Sequence, residues 1–262
     1  MTEIGSAGGP HEAGHGTTLR SGTSPDGASG AGKIAGALGR AILAGRLGPG
    51  DLVPGEIEVG RRFEASRTVV REAFKTLSAK GLIESRRRAG TRVRARAAWH
   101  LLDADVLAWR LDAGEGESKF VADLLHARAV IEPAAAAMAA LRHDDATLAA
   151  IEAAFAGMER TAHDRELFAA PDLAFHKAIL AATGNDVMMA LGALIEAALG
   201  AFLRIASRHP GAPGPSVPLH GAVLAAIRRR DPEAAERAMM ALLDRTATNA
   251  RRNTAGDHGE GT

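Results

Sequence analysis

Two polar residues four positions apart, Asp172 and His176, would project from the same face of a helix. A third, His220, lies in a later segment on the side that Val223 and Leu224 mark as apolar. Carboxylate oxygen and imidazole nitrogen both bind divalent metals, and facing helices of a bundle can supply such ligands from inside. The three residues are therefore a candidate metal site, with zinc as the expected ion. An Asp-x-x-x-His pair is also common as a surface ion pair or a satisfied core histidine, so that alternative stays open.

Arg128 is another polar residue that the pattern places inside a bundle, with Leu124, Leu125 and Ile131 around it. Its guanidinium is a rigid fork that matches a carboxylate, which indicates a site for a small acid. An ion pair within the helix to Glu132, four residues on, explains the same spacing. The residues favour neither explanation over the other.

A second functional region is indicated by residues 52–96. Their pattern predicts two short helices followed by an arginine-rich hairpin. Ser66 is a good N-cap for the second helix, and an apolar stripe follows at helical spacing. The opposite face is cationic from its first turn, where a recognition helix contacts base edges. Arginine suits guanine, so Arg67 and Arg71 are predicted to contact bases or phosphates. The predicted contact residues of this helix are Ser66, Arg67, Thr68, Arg71 and Lys75.

The flanking segments favour DNA binding over an ordinary solvated charged face. A helix is predicted over 56–63, a tight turn at 64–65 and a helix end at Lys80-Gly81, followed by two short strands around an arginine-rich turn. Residues 61–96 hold twelve basic against three acidic residues, whereas 97–262 hold 16 against 22. Such a basic module is typical of phosphate binding. The wing residues expected at DNA are Arg88, Gly90, Thr91 and Arg92.

Composition limits the remaining choices. The 262 residues suffice for two ordinary domains, and the absence of cysteine excludes disulfides and thiolate metal sites. No apolar run approaches the roughly 20 residues that span a bilayer, and no signal peptide is visible, so a cytoplasmic protein with no membrane partner is expected. The fold class is mainly α, a winged helix-turn-helix with a β-hairpin wing and then an all-α bundle. The expected divisions are a disordered tail at 1–28, the winged helix at 29–97, a linker at 98–116, the effector-binding bundle at 117–252 and a tail at 253–262.

The bundle should contain six helices, separated by polar or Pro-Gly breaks. The linker is too apolar for a free spacer and should pack against a domain, with a short helix as one possibility. The six predicted helices are 117–141, 144–161, 165–182, 186–208, 217–229 and 232–250.

Short motifs in a fixed order carry a resemblance over residues 31 to about 250. The chain resembles regulators of the GntR family, FadR subfamily, with a C-terminal ligand-binding domain of the FCD type. The resemblance implies a homodimer on a palindromic operator and repression relieved by a small molecule. Its motifs are Leu52-x-Pro54-x-Glu56, Ser66-Arg67-Thr68-x-x-Arg71-Glu72-Ala73, Lys80-Gly81-Leu82-Ile83, Gly90-Thr91-Arg92-Val93, Arg128-x-x-x-Glu132-Pro133, Asp172-x-x-Phe175-His176, Thr183-Gly184-Asn185, and His220 before Leu224-x-Ala226-Ile227.

The resemblance also implies roles within the FCD domain. Asp172, His176 and His220 match three of the family's four metal ligands, while the fourth, a histidine, corresponds to Leu242. Arg128 would bind the acid group of the effector, with Asn185 near the pocket. The segment 99–110 resembles the linker of regulators of sugar-acid catabolism. This resemblance indicates an aldonate as the effector, with lactate-type acids and other carboxylates as alternatives.

Two other classes of protein are less well supported. A metal-dependent hydrolase could use the same aspartate and histidines to activate water. It would leave the winged helix without a role, and no general base accompanies the three residues, so the protein is predicted not to be an enzyme. A purely architectural DNA-binding protein would not need buried polar groups in its bundle, since their burial costs free energy.

Overall fold

The computed structural model describes residues 30–112, 117–206 and 216–255. Its N-terminal unit is a winged helix whose apolar residues share one core. Glu64 between α2 and α3 has a φ of 50°, which makes the turn between these helices tight. The elements are α1 (Gly30–Leu43), α2 (Glu56–Arg62), α3 (Arg67–Ala79), β1 (Ile83–Arg86) and β2 (Gly90–Val93).

The second helix of the motif, α3, forms as its residue pattern predicts. Ser66 caps it by accepting a hydrogen bond from the Val69 backbone N–H at 3.4 Å. Its apolar stripe of Val70, Phe74 and Leu77 is buried against α1 and α2. The helix ends at Lys80, and Gly81 follows with a φ of 73°, a conformation that favours glycine. The cationic side is thereby left facing outward.

The wing is an antiparallel hairpin that pairs Ile83 with Val93 and Arg86 with Gly90. Arg88 and Gly90 both have positive φ, which gives the arginine-rich turn its sharp reversal. The Arg92 guanidinium donates to the Gly50 carbonyl at 2.7 Å and so ties the wing to the loop after α1.

The segment after the wing is a folded connector. A 3-10 turn at Arg96–Ala98 precedes α4 (Ala104–Asp112), which is the short helix that the apolar pattern suggested. Val106 on α4 belongs to the winged-helix core, whereas Leu107 and Leu111 belong to the core of the bundle. Neither core is complete without α4.

The bundle differs from the prediction at two points. Its last helix continues to Ala255, past the predicted end at 250 and into the predicted tail 253–262. The rest of that tail, and the predicted tail 1–28, lie outside the described residues. The predicted helix 186–208 is two helices in the structure, because the chain turns at Leu191, where Leu191 N–H bonds to the Met188 carbonyl. The described helices of the bundle are α5 (Glu117–Arg142), α6 (Asp145–Thr161), α7 (Arg165–Ala182), α8 (Asp186–Ala190), α9 (Gly192–Ala206), α10 (Val217–Arg228) and α11 (Pro232–Ala255).

One helix among the described residues, Lys119–Arg142 within α5, is long and apolar enough to cross a membrane by length and composition. The prediction that no apolar run approaches the spanning length is therefore wrong for this helix. Here α5 packs against α7, α9, α10 and α11 as the central helix of the bundle. Its apolar character is that of a core helix, and it carries two buried charged residues.

Candidate effector and metal site and DNA-facing surface

Polar side chains from three helices meet inside the bundle. Helix α5 contributes Arg128 and Glu132, α7 contributes Asp172 and His176, and α10 contributes His220. Four of the five are almost fully buried, with at most 3% of their surface exposed, and the Asp172 side chain is 16% exposed. Such a cluster costs free energy unless its members satisfy one another or a bound group.

The three predicted metal ligands lie together. Asp172 Oδ1 is 2.9 Å from His220 Nε2 and 3.7 Å from His176 Nε2. The ligand atoms of all three residues lie within 4.8 Å of one another. Atoms bound to one zinc ion, each about 2.0–2.2 Å from it, lie roughly 3–4 Å apart. Small side-chain rotations would therefore bring all three onto one cation.

Neighbouring acceptors select the tautomer of each histidine. His220 Nδ1 lies 2.9 Å from the Ser216 carbonyl, which can only accept, so Nδ1 must carry the proton. His176 Nδ1 lies 2.5 Å from Glu132 Oε2, at ion-pair distance but without hydrogen-bond geometry, and this carboxylate favours a proton on Nδ1. In the neutral histidines the Nε2 lone pair of His220 then lies at the Asp172 carboxylate. The Nε2 of His176 lies between Asp172 Oδ1 at 3.7 Å and Arg128 Nη2 at 3.3 Å.

The contact between His220 and Asp172 tests whether a cation fits. With the proton on Nδ1, His220 Nε2 presents a lone pair to a carboxylate oxygen, and this buried nitrogen has no hydrogen-bond partner among the described residues. Two acceptors at 2.9 Å repel each other unless a proton or a metal ion lies between them. A proton would make an Asp172–His220 ion pair, whereas a metal would use the same lone pairs as ligands. The donor set therefore fits a divalent metal.

Both interpretations of Arg128 are compatible with its contacts. Its Nε donates to Glu132, so the ion pair within the helix exists. Its Nη2 lies 3.3 Å from His176 Nε2, which brings the guanidinium to the metal-binding residues. Its Nη1 is buried and has no hydrogen-bond partner among the described residues. Nη1 of the guanidinium can therefore donate to another acceptor.

The two carboxyl groups of the cluster are held ionised. Burial opposes the ionisation of Glu132, but the charges of Arg128 and His176 outweigh it and lower the pKa of Glu132 to about 2. Burial likewise opposes the ionisation of Asp172. The hydrogen bond with His220 and the nearby positive charges together outweigh burial, so the pKa of Asp172 is lowered. The lowered pKa of each carboxyl group includes the positive charge of protonated histidines. When the histidines are neutral, the cluster holds two carboxylates and one guanidinium, which leaves one negative charge in excess. That excess negative charge favours a cation.

Leu242, where the family's fourth ligand would lie, is a buried residue of α11 with 2% of its surface exposed. Helix α11 packs against α5 and α10, which carry Arg128 and His220. A leucine side chain has no ligand atom, so it contributes only apolar packing.

The Thr183-Gly184-Asn185 motif builds the turn between α7 and α8. Thr183 Oγ1 donates to the Leu180 carbonyl at 2.6 Å, and Gly184 has a φ of 61°. The Asn185 side chain caps α8 by accepting from the N–H groups of Val187 and Met188. The described contacts of Asn185 are therefore local to this turn.

The predicted DNA-contact residues divide into two groups. Arg67, Thr68, Arg71 and Arg88 are exposed at the start of α3 and in the wing turn, and Lys75 is exposed and paired with Glu72 at 2.7 Å. The second group serves the fold. Ser66 caps α3, Thr91 Oγ1 lies 2.9 Å from Ser85 Oγ, Arg92 holds the wing to Gly50, and Gly90 completes the turn.

The charge count over residues 61–96 includes Lys80, but the structure places this side chain away from the exposed basic face. Its ammonium lies 2.6 Å from Asp103 and 2.8 Å from Asp105, at the start of α4, and only 12% of its side chain is exposed. The polar residues of the linker carried no periodic signal that would have revealed this pairing.

A winged helix with an exposed basic recognition helix, joined to a helical bundle with a polar centre, defines a ligand-responsive DNA-binding regulator. Residues 31–93 match the family described as bacterial regulatory proteins, gntR family, and residues 123–245 match the FCD domain. The chain belongs to the GntR family of transcriptional regulators, in its FadR-like branch with an FCD domain. The family consists of DNA-binding regulators, which confirms the prediction that the protein is not an enzyme.

Curated relatives and solved structures agree with this assignment. The chain is 34% identical over 207 residues to the galactonate operon transcriptional repressor of Escherichia coli, covering 79% of this chain and 90% of that protein. It is 33% identical over 152 residues to the Uxu operon transcriptional regulator of the same organism, covering 57% of each. The structure of Lar, which controls the expression of the Listeria monocytogenes agr system, superposes with a TM-score of 0.60 at 18% identity, over 87% of this chain and 99% of that one. At that identity the superposition supports the fold alone.

Proposed function

We propose that this regulator represses a sugar-acid or related carboxylate catabolic operon and is released from its operator by a small hydroxy acid or aldonate. Two observations support this effector class. A relative with 34% identity is named for the galactonate operon, and the centre of the bundle holds an arginine beside a candidate metal site. Because both ends of a hydroxy acid would find a partner there, the site suits that chemistry.

The observation that carries the proposal is the buried Nη1 of Arg128, which has no hydrogen-bond partner among the described residues. A buried N–H without an acceptor costs about 1–3 kcal/mol, and more when the group is charged. A carboxylate bound at this nitrogen would remove the penalty and form a charge-assisted hydrogen bond. Glu132 already occupies the other side of the guanidinium, so it orients Arg128 while leaving one arm for the effector.

A divalent cation, zinc by preference, would be held by Asp172, His176 and His220. Such an ion binds a carboxylate and an adjacent hydroxyl as a Lewis acid. Three protein ligands leave positions open, since Leu242 supplies none. The acceptors of Glu132 and Ser216 keep both histidines in the tautomer that offers Nε2. We also propose that Asn185, which caps α8, lies near the effector pocket.

The DNA-contacting surface is assigned to Arg67, Thr68, Arg71 and Lys75 of α3 with Arg88 of the wing. One winged helix reads few base pairs, and a two-fold pair reads a palindrome, so the protein would act as a homodimer. Arg71 lies one turn after Arg67 on the exposed face of α3 and suits guanine. Bacterial operators lie in the cytoplasm, which would be the site of action.

A thermal-shift screen against aldonates, hydroxy acids and simple carboxylates, each with zinc and with EDTA, tests the effector class. We expect an aldonate or hydroxy acid to stabilise the protein with zinc and to lose that effect in EDTA. Stabilisation that survives EDTA would favour a metal-free site centred on Arg128. If no acid stabilises the protein under either condition, the proposed effector class is wrong.

A matched pair of variants separates the site from general damage to the bundle. His176→Ala removes a proposed ligand, and His143→Ala removes another buried histidine, which bonds to the Ala139 carbonyl at 2.9 Å. We expect His176→Ala to lose bound zinc and the acid-induced shift, and His143→Ala to keep both. Equal zinc content in the two variants would argue against the metal site.

A further inference from the structure

The end of the recognition helix is attached to the connector by its last side chain. Lys80, the C-cap of α3, has its ammonium between the carboxylates of Asp103 and Asp105. Asp103 Oδ1 also accepts the N–H groups of Asp105 and Val106, so the same carboxylate starts α4. One lysine therefore joins the end of α3 to the beginning of α4.

Backbone contacts reinforce this junction. The Lys80 carbonyl accepts a hydrogen bond from the His100 N–H at 3.1 Å. A Cβ on Gly81 would lie 2.1 Å from the Ala98 carbonyl oxygen, so only glycine allows this approach. The connector is thus pressed against the turn that ends α3.

Trp109 extends the junction to α1. Its ring approaches so closely that a Cβ added to Gly39 would lie 2.3 Å from a ring carbon, and the Lys80 ammonium lies 5.6 Å from the ring centroid. The next residue, Arg110, donates to the Leu43 carbonyl at the end of α1. Helix α4 is therefore held on two helices of the winged unit.

The other face of α4 belongs to the bundle. Leu107 and Leu111 lie in the bundle core, and α4 packs against α9 and α5. Helix α9 packs in turn on α7, with Lys177 donating to Glu196 at 3.4 Å across that contact. Helix α7 carries Asp172 and His176, so packed helices run without interruption from the polar cluster to Lys80.

We propose that Lys80, Asp103 and Asp105 form a clamp that positions the recognition helix on the effector bundle. Through this clamp α3, α4 and the bundle respond as one unit. Lys80 is then a positioning residue and makes no contact with DNA. The proposal rests on the DNA-binding function of the family and is independent of whether metal binds.

The two tryptophans make the clamp observable without any ligand. Trp99 and Trp109 are the chain's two tryptophans and both lie in the connector, whereas circular dichroism at 222 nm reports chiefly the longer helices of the bundle. In the wild-type chain we expect urea unfolding followed by fluorescence and by dichroism to coincide. In Lys80→Met the fluorescence midpoint should fall below the dichroism midpoint by roughly 0.5–1 M urea.

Two further variants provide a weaker disruption of the clamp and a control. Asp105→Asn removes one carboxylate without touching the Asp103 cap, and we expect a smaller separation in the same direction. Lys119→Met removes an exposed lysine paired with Asp123 at 2.7 Å, and its transitions should coincide. Coincident transitions in Lys80→Met, or separate ones in the wild type, would overturn the clamp.

Salt dependence of binding to a duplex of random sequence distinguishes positioning from DNA contact. A lysine that neutralises a phosphate contributes about 0.9 to the slope of log affinity against log salt. We expect Lys80→Met to keep the wild-type slope, because the ammonium is already paired with two carboxylates. A slope smaller by about 0.9 would place Lys80 on DNA and refute its role as a positioning residue.

Discussion

Replacing Arg128 with methionine should destabilise the bundle far more than the loss of an ordinary ion pair. The side chain is 1% exposed and is bonded to Glu132, which is itself 2% exposed. Arg128→Met leaves the Glu132 carboxylate buried with only His176 beside it. Breaking a buried pair by removing one partner typically costs about 3–5 kcal/mol, because an uncompensated charge remains.

A second substitution should recover part of that loss. In Arg128→Met with Glu132→Leu the uncompensated Glu132 carboxylate is removed, and replacing both partners of a buried pair by apolar residues is often close to neutral. We therefore expect the double variant to be more stable than the single one, by about 1–3 kcal/mol. Removing the partner of His176 limits the recovery.

Urea unfolding followed by circular dichroism measures both differences. Lys119→Met is the control on the same helix, because it breaks an exposed i,i+4 pair and should change stability little. The reasoning fails if Arg128→Met costs no more than Lys119→Met. It also fails if the double variant is the less stable of the two.

Three other substitutions test separate parts of the molecule. Arg71→Ala should weaken operator binding at least about tenfold with the fold unchanged, measured by fluorescence anisotropy and dichroism, and full affinity would refute its assignment to DNA. Leu242→His should supply the fourth ligand and so raise the zinc affinity measured in a competition titration. An unchanged affinity would refute the assignment of position 242 to the family's fourth ligand. Because the Lys80 and backbone bonds outweigh burial and lower the pKa of Asp103, its stabilisation is present above the unfolded value near 3.8 and is lost as the pH falls through the folded value. Asp103→Asn should therefore reduce the fall in the free energy of unfolding at acidic pH. An unchanged fall would contradict the stabilising role of the Asp103 carboxylate.

Local patterns predicted most of the elements correctly. Ser66 and the stripe of Val70, Phe74 and Leu77 identified α3, because capping and helical periodicity act within a few residues. The four-residue spacing of Asp172 and His176 placed both on one face of α7 for the same reason. The motifs also indicated the family and its DNA-binding function, which the family matches confirm.

The sequence pattern was wrong about one helix and could not reveal two contacts between distant residues. The apolar run 186–208 has helical period throughout, yet the chain turns at Leu191 and makes two helices. The choice between an effector site and an ion pair at Arg128 could not be made from spacing, because its second contact, His176, is 48 residues away. The charge count included Lys80 in the basic module, and its pairing with Asp103 and Asp105 was missed because these partners belong to a different element.

The sequence by itself determined a basic winged helix, an apolar helical bundle and the candidate ligands on their helix faces, because charge distribution, caps and periodicity are properties of neighbouring residues. The tertiary structure alone decided which polar groups meet. It brought His220 to Asp172, left Arg128 Nη1 without an acceptor in the described part of the chain and enclosed Lys80 between two carboxylates. These outcomes depend on how helices pack across the fold, and the burial that packing creates is what gives each polar group its chemistry.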